Sequence, residues 1–212
     1  MGYSSLRSCI DDLEKNGHLI RISQEVDPNL EMASIHLEEF KNSGKAILFE
    51  NVKGSKYPAV SNIFGTIDRS NFIFRKSIKK VKKLIDLKMN PINGFKDPIS
   101  SLKSAFYATM ALPKKVRFPK YFEEIKISEI PQIKCWPDDG GAFITLPQVY
   151  SEDILNPGIM NSNLGMYRIQ ISGNEFIKDK EIGLHYQIHR GIGIHQKHAV
   201  KNGENLKVSI FI

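Results

Sequence analysis

Apolar residues recur at helical spacing at the start of the chain, at Leu6, Cys9, Ile10 and Leu13, and Asn16-Gly17 follows as a stop. The spacing predicts an opening amphipathic helix. His18 to Ile22 reads as a short strand. Asp27-Pro28 offers a capping acceptor and a first-turn proline, and predicts a helix through Met32, Ile35 and Phe40 to about Ser43-Gly44. Ala46 to Glu50 predicts a strand, Lys53-Gly54 a turn, and Pro58 to Phe64 a further strand. The next segment is helical in pattern: Phe72, Ile73, Ile78, Val81, Leu84 and Ile85 form an apolar stripe opposite RKSIKKVKK, and Pro91 ends it. A second helix is expected from Asp97-Pro98 to Leu112-Pro113.

From Pro113 to Pro137 prolines recur, and beyond them the pattern turns to β. Phe143 to Tyr150, Gly165 to Ser172 and Ile182 to Ile188 predict strands, Arg190 to Lys201 a short helix closed by Asn202-Gly203, and Leu206 to Ile212 a last strand. A strand that apolar is usually interior and chains seldom stop inside one, so the sequence is expected to be a truncated part of a longer protein. The fold class expected is α+β overall: residues 1–115 as a mixed α/β domain with a basic helical segment, and residues 116–212 as a β domain.

Composition narrows the class. The 212 residues, 41% hydrophobic and 25% charged, suit a globular chain with a substantial core. No apolar run approaches the roughly 18 residues of a spanning helix, and the N-terminus carries acids where a signal peptide would be apolar. Two cysteines, Cys9 and Cys135, make no disulfide framework. A cytoplasmic protein is expected. The formal charge of +7 invites a nucleic-acid reading. However, Arg69 to Lys120 holds 14 basic and two acidic residues, an excess of twelve, and the remainder of the chain is net −5. Few aromatic residues there could stack on bases, so Lys79, Lys80, Lys82 and Lys83 read as a solvated helix face.

Three stretches could carry chemistry. His185, His189, His195 and His198 fall within fourteen positions. His185 and His189 are four apart, as helical zinc ligands would be, but no acid stands between them in the protease pattern. GLHYQIH also alternates like a strand, which puts His185, Gln187 and His189 on one face. Spacing alone favours a structural role. Arg168 shares a strand face with Gln170, opposite Tyr167 and Ile169, and needs an anionic partner; a ligand phosphate or carboxylate and an internal carboxylate fit equally. Trp136-Pro137-Asp138-Asp139-Gly140-Gly141 reads as a hairpin entry with a packed tryptophan, since adjacent turn carboxylates rarely converge on one atom. The chain holds no GxGxxG, Walker or GxSxG pattern, and Cys9 sits on the apolar helix face.

Five stretches, LIRISQEVDPNLE, AILFENVKGSKYPAVSNIFGT, IPQIKCWPDDGGAFITLP, NLGMYRIQ and GLHYQIHRG, occur in this order and together resemble the UbiD family of decarboxylases. The resemblance runs from about residue 5 to the last and is loosest between Arg69 and about Phe122. It implies a non-oxidative decarboxylase of aromatic or α,β-unsaturated carboxylic acids, in ubiquinone or menaquinone biosynthesis. It also implies a flavin reductase-like split β-barrel, of which residues 116–212 would be an incomplete part. The implied cofactor is prenylated FMN, supplied by a flavin prenyltransferase and held through Mn²⁺, with K⁺ nearby.

By motif, Asn163 and His189 would be metal ligands, and Met166, Tyr167 and Arg168 would line the cofactor. Arg168 would be the catalytic arginine that meets the substrate carboxylate. His185, Tyr186 and Gln187 would run along the flavin, with Arg190 and Gly191 at its phosphate end. The resemblance thus moves His189 from structure to ligand and leaves His195 and His198 unassigned. The third metal ligand and the acids that work with the arginine match no residue here, so the chain alone is expected to be inactive and its full-length parent a homo-oligomer. A flavin- or metal-binding module without chemistry and a basic nucleic-acid-binding protein are the competing readings.

Overall fold

The computed structural model describes residues 2–90, 106 and 123–212. The expected helix after Asp97 and the expected boundary between residues 115 and 116 lie outside the described residues. The chain folds as two compact units: residues 1–22, 38–49 and 60–124 form one, and residues 23–37, 50–59 and 125–212 the other.

In the first unit, α1 (Leu6–Lys15) starts at Ser5, whose hydroxyl accepts from the Ser8 amide while Ser8 Oγ accepts from the Ser5 amide. Gly17, at φ 74°, ends it. Cys9 and Leu13, on its inner face, are buried with Leu19, Ala46, Leu48 and Ile73. The strands β1 (Leu19–Val26), β2 (Ala46–Val52) and β3 (Ala59–Ser61), whose residues fall in both units, form a sheet in the order β1-β2-β3. Ala46 to Phe49 are all buried, so that part of β2 is covered on both faces.

β3 is shorter than the sequence predicts. Asn62 takes φ 58°, and the buried Arg69 guanidinium donates to the carbonyls of Ile63, Gly44 and Asn62 at 3.0, 2.8 and 2.6 Å, which fixes a turn there. The basic segment is two helices, α3 (Ile67–Ile73) and α4 (Ile78–Met89). Arg75 separates them: its guanidinium bonds the Phe72 carbonyl, the Tyr3 hydroxyl and Asp12, which closes the end of α3.

In the second unit, α2 (Glu31–Lys41), most of which lies here, starts later than its Asp-Pro signal. Asp27 Oδ1 accepts from the Asn29 amide, Leu30 takes φ 72°, and Pro28 and Leu30 bond the backbone of Lys134, so these residues serve as a turn. Two antiparallel sheets follow, ordered β4-β7-β8 and β6-β5-β9. The first comprises β4 (Phe143–Ile144), β7 (Arg168–Gln170) and β8 (Gly183–His185). The second comprises β5 (Gln148–Glu152), β6 (Ser162–Met166) and β9 (Val208–Phe211).

Two expected strands are therefore each divided, at Thr145–Pro147 and at Tyr167, where the chain passes from one sheet to the other. The helix α5 (Gly191–Lys201) packs Ile192 into a core with Ala142, Val149, Ile169 and Ile171. Among the described residues no helix is long and apolar enough to cross a membrane.

Candidate cofactor-binding cleft

The site is built where β6, β7, β8 and the start of α5 meet. β7 pairs with β8 so that Arg168 lies opposite His185, and with β4 so that Gln170 lies opposite Phe143. Alternation puts Arg168 and Gln170 on one face, as the sequence pattern requires, with Ile169 in the core behind them. Phe143, 7% exposed, supports both Arg168 and His185. The Arg168 guanidinium carbon lies 4.0 Å from its ring centroid, and the His185 ring meets it edge-on at 5.7 Å. Buried Gln170 takes an Asn174 Nδ2 bond on Oε1, and His185 Nε2 approaches the same oxygen at 3.3 Å, which orients the imidazole.

A cleft of about 580 Å³ opens over this floor, lined by residues 165–168 of β6 and β7 and by His185, Tyr186, Gln187 and Arg190. Seven of the ten residues that the sequence motifs single out line it, namely Met166, Tyr167, Arg168, His185, Tyr186, Gln187 and Arg190. Two more adjoin it. Asn163 Nδ2 donates to the Tyr167 hydroxyl at 3.1 Å, and Asn163 Oδ1 lies against Gly191, where an added Cβ would come within 2.5 Å of it. Gly165 is tight for the same reason, since a Cβ there would lie 2.7 Å from the Tyr167 ring.

His189 is the exception. The strand stops at His185, and residues 187–190 form a turn in which the Arg190 amide bonds the Gln187 carbonyl, so His185, Gln187 and His189 do not share a strand face. His189 is exposed in that turn and is not among the lining residues. Nor do His185 and His189 share a helix, and among the described residues no group of three His, Cys, Asp or Glu side chains could hold a metal.

Sequence reasoning missed several contributors. Asp139 Oδ1 lies 3.5 Å from Arg168 Nη2 while its Oδ2 accepts from the Trp136 amide, so the internal carboxylate left open for Arg168 exists. The guanidinium remains nearly half exposed toward solvent. Trp136 itself is 56% exposed, against the expected packed tryptophan, because the turn is held by Asp139 instead. Burial, followed by the Asp139 charge, pushes the neighbouring Cys135 thiol up from its ordinary value.

The two unassigned histidines tie α5 to β5. His195 Nδ1 lies 3.0 Å from the buried Ser151 hydroxyl, and His198 Nδ1 lies 2.9 Å from Asp153 Oδ1. The His198 hydrogen bond holds the Asp153 carboxyl below the usual carboxylate range. These contacts fix the helix whose first residue, Gly191, touches Asn163. Ser151 and Asp153 gave no sequence signal, since their partners lie more than forty positions away.

Comparison with known proteins bears on the family and the fold. Residues 10–88 match the family model of the 3-octaprenyl-4-hydroxybenzoate carboxy-lyase N-terminal domain, and residues 111–212 match that of the Rift-related domain of the same carboxy-lyases. The chain is 37% identical to an uncharacterized protein of Chlamydia caviae, aligning over 100% of this chain and 36% of that one. It is 35% identical to a 4-hydroxybenzoate decarboxylase subunit of Chlamydia pneumoniae, over 99% of this chain and 35% of that one. The chain thus spans little more than a third of the length of these relatives.

Among solved structures, the closed form of vanillic acid decarboxylase from Sedimentibacter hydroxybenzoicus superposes with a TM-score of 0.74 at 23% identity, covering 99% of this chain and 43% of that one. An evolved dimeric form of the UbiD-class enzyme HmfF from Pelotomaculum thermopropionicum, in complex with prenylated FMN, gives 0.69 at 19% identity, covering 98% and 44%. At such identities these two likenesses concern the fold. The two family matches, which together account for most of the chain, establish that it belongs to the UbiD family of carboxy-lyases.

Proposed function

We propose that this chain carries the cofactor-holding part of a UbiD-type decarboxylase acting on an aromatic or α,β-unsaturated carboxylic acid, with prenylated FMN as cofactor. The observation that carries the reading is the cleft, in which two arginines, two tyrosines and a histidine converge on one concave surface. Its volume lies within the roughly 300–1,000 Å³ range of cofactor sites. The two sheets would be part of a split β-barrel, and the full-length parent would serve ubiquinone or menaquinone biosynthesis in the cytoplasm, a role that goes beyond the carboxy-lyase family description.

The residues present fit the flavin. Tyr167 and Tyr186 offer aromatic and apolar surface, and Arg190 stands at the start of α5, whose first turn has no side-chain cap and contains Gly191 and Gly193. Uncapped amides and the positive end of a helix suit a phosphate. Asn163 Oδ1 is a hard oxygen donor suited to Mn²⁺. His189 would be a second ligand from the turn before α5, with K⁺ nearby. Two such residues do not complete a coordination shell, so further ligands come from outside the described set.

Prenylated FMN, when bound, accepts the electrons released as the carboxylate leaves. Arg168 binds and orients that carboxylate, held in place by the Phe143 ring and by Asp139. His185 is fixed by Gln170 along the same wall. Proton return to the product carbon requires an acid, and Asp139 is already engaged by Arg168 and the Trp136 amide. The chain by itself is therefore expected to bind flavin without turning over.

The test is titration of FMN and prenylated FMN into the 212-residue chain with and without Mn²⁺, followed by flavin fluorescence, alongside CO₂ release from aryl and acrylic acids. Metal-dependent flavin binding without CO₂ supports the reading. Absence of flavin binding, or turnover by this chain alone, refutes the corresponding part of it. A full-length parent is expected to be a homo-oligomer served by a flavin prenyltransferase.

A further inference from the structure

Asn163, Gly165 and Tyr167 stand at alternate positions where the chain runs along β6 and leaves it, and so share one face. Opposite Asn163 and Gly165 on β5 are Ser151 and Val149, which are 1% and 0% exposed, so this is the covered face. The helix α5 lies against it: Gly191 at its start meets Asn163, and His195, one turn on, meets Ser151. The Tyr167 ring does not point away from the strand. It folds back across Gly165, where an added Cβ would lie 2.7 Å from Cε2 and from the hydroxyl oxygen. That oxygen accepts a bond from Asn163 Nδ2 at 3.1 Å.

The other end of the same amide, Oδ1, lies against Gly191. Among the described residues it has no hydrogen-bond donor. A carboxamide offers a cation a lone pair on its oxygen only, so the end left free decides whether Asn163 can act as a ligand. Exchanging the two ends would turn the NH₂ toward the positive end of α5, which the helix field opposes.

We propose that Tyr167 is a positioning residue: its hydroxyl occupies Asn163 Nδ2 and so keeps Oδ1 available as the donor atom for the divalent cation. Residue 165 is glycine because the tyrosine ring crosses the strand there. The inference rests on the reading of Asn163 as a ligand, and it gives the tyrosine a task beyond lining the cleft.

The test titrates Mn²⁺ into the 212-residue chain with FMN present and reads free Mn²⁺ by electron paramagnetic resonance. Tyr167→Phe keeps the ring and removes only the oxygen. It is expected to weaken Mn²⁺ binding about 10–100-fold, the usual cost of losing a group that orients a ligand. Gly165→Ala displaces the ring from Asn163 and is expected to fall in the same range. Asn163→Asp makes both terminal atoms oxygens, so orientation no longer matters. In that background Tyr167→Phe should change Mn²⁺ affinity by less than about threefold.

A tyrosine that only shaped the cleft would cost the same in both backgrounds, and equal losses overturn the proposal. Should Tyr167→Phe fail to fold by circular dichroism, Gly165→Ala carries the same comparison. Parental Mn²⁺ binding by Tyr167→Phe, together with its loss in Asn163→Ala, overturns the role of the tyrosine and leaves the ligand reading standing. Undiminished Mn²⁺ binding by Asn163→Ala, or none by the unaltered chain, removes the ligand reading and the proposal with it.

Discussion

Removing a single oxygen atom, by Ser151→Ala, is expected to lower the stability of the β-rich unit by about 1–3 kcal/mol. Ser151 is 1% exposed and His195 8%, and their Oγ and Nδ1 atoms lie 3.0 Å apart. Neither group reaches bulk water, so a ring nitrogen that loses this partner bears its full desolvation cost, about 1–3 kcal/mol. His195→Leu leaves the Ser151 hydroxyl unpaired in the same way and is expected to cost a similar amount. The double variant removes both polar groups, and its cost should fall below the sum of the singles by about 1–2 kcal/mol.

Urea unfolding followed by the fluorescence of Trp136, the only tryptophan and part of the same unit, measures all three. The contact also holds α5, whose first residue touches Asn163, so flavin binding should weaken in the singles and recover in part in the double. Two results would refute the reasoning: singles within about 0.5 kcal/mol of the parent, or a double equal to their sum.

Arg69→Met should cost the first unit about 1–3 kcal/mol in a thermal or urea melt, because it removes the buried guanidinium that donates to the buried Asn62 carbonyl and to the part-buried carbonyls of Ile63 and Gly44. Gly191→Ala puts a Cβ 2.5 Å from Asn163 Oδ1, and should reduce Mn²⁺-dependent FMN binding about tenfold or more while circular dichroism stays unchanged. The bond from His198 depresses Asp153, so its share of stability is complete above the unfolded value near 3.9 and is lost as pH falls below it. Asp153→Asn should therefore lose less stability than the parent between about pH 5 and about pH 3, read as the shift of the urea midpoint.

Where local chemistry dominates, the sequence and the structure agree. The α1 helix needs only its own apolar spacing and the Asn16-Gly17 stop, and α5 ends at Asn202-Gly203 as expected. The Asp27-Pro28 signal failed as a helix start because Lys134, more than a hundred residues away, captures that backbone as a turn. The long β patterns from Phe143 and from Gly165 read as continuous because alternation persists, yet the chain changes sheet within each. Alternation records which face is buried and says nothing about which neighbour buries it. His189 shows the same limit: GLHYQIH alternates past the point where β8 has lost its pairing partner.

By itself the sequence determined the kind of residue available: an arginine, aromatic side chains and imidazoles in two short motifs, and a basic charge confined to one segment. Only the tertiary structure decided their use. Register set Arg168 opposite His185, over a phenylalanine that no motif singled out, and gave the arginine Asp139 as its partner. Among the described residues it also left the stripe of α4 exposed, although its spacing is that of a core-facing helix. The physical reason is common to these cases. Periodicity encodes a residue's own backbone and preferred environment, whereas an ion pair, a ring contact or an uncovered face depends on groups brought near by folding at large sequence separation.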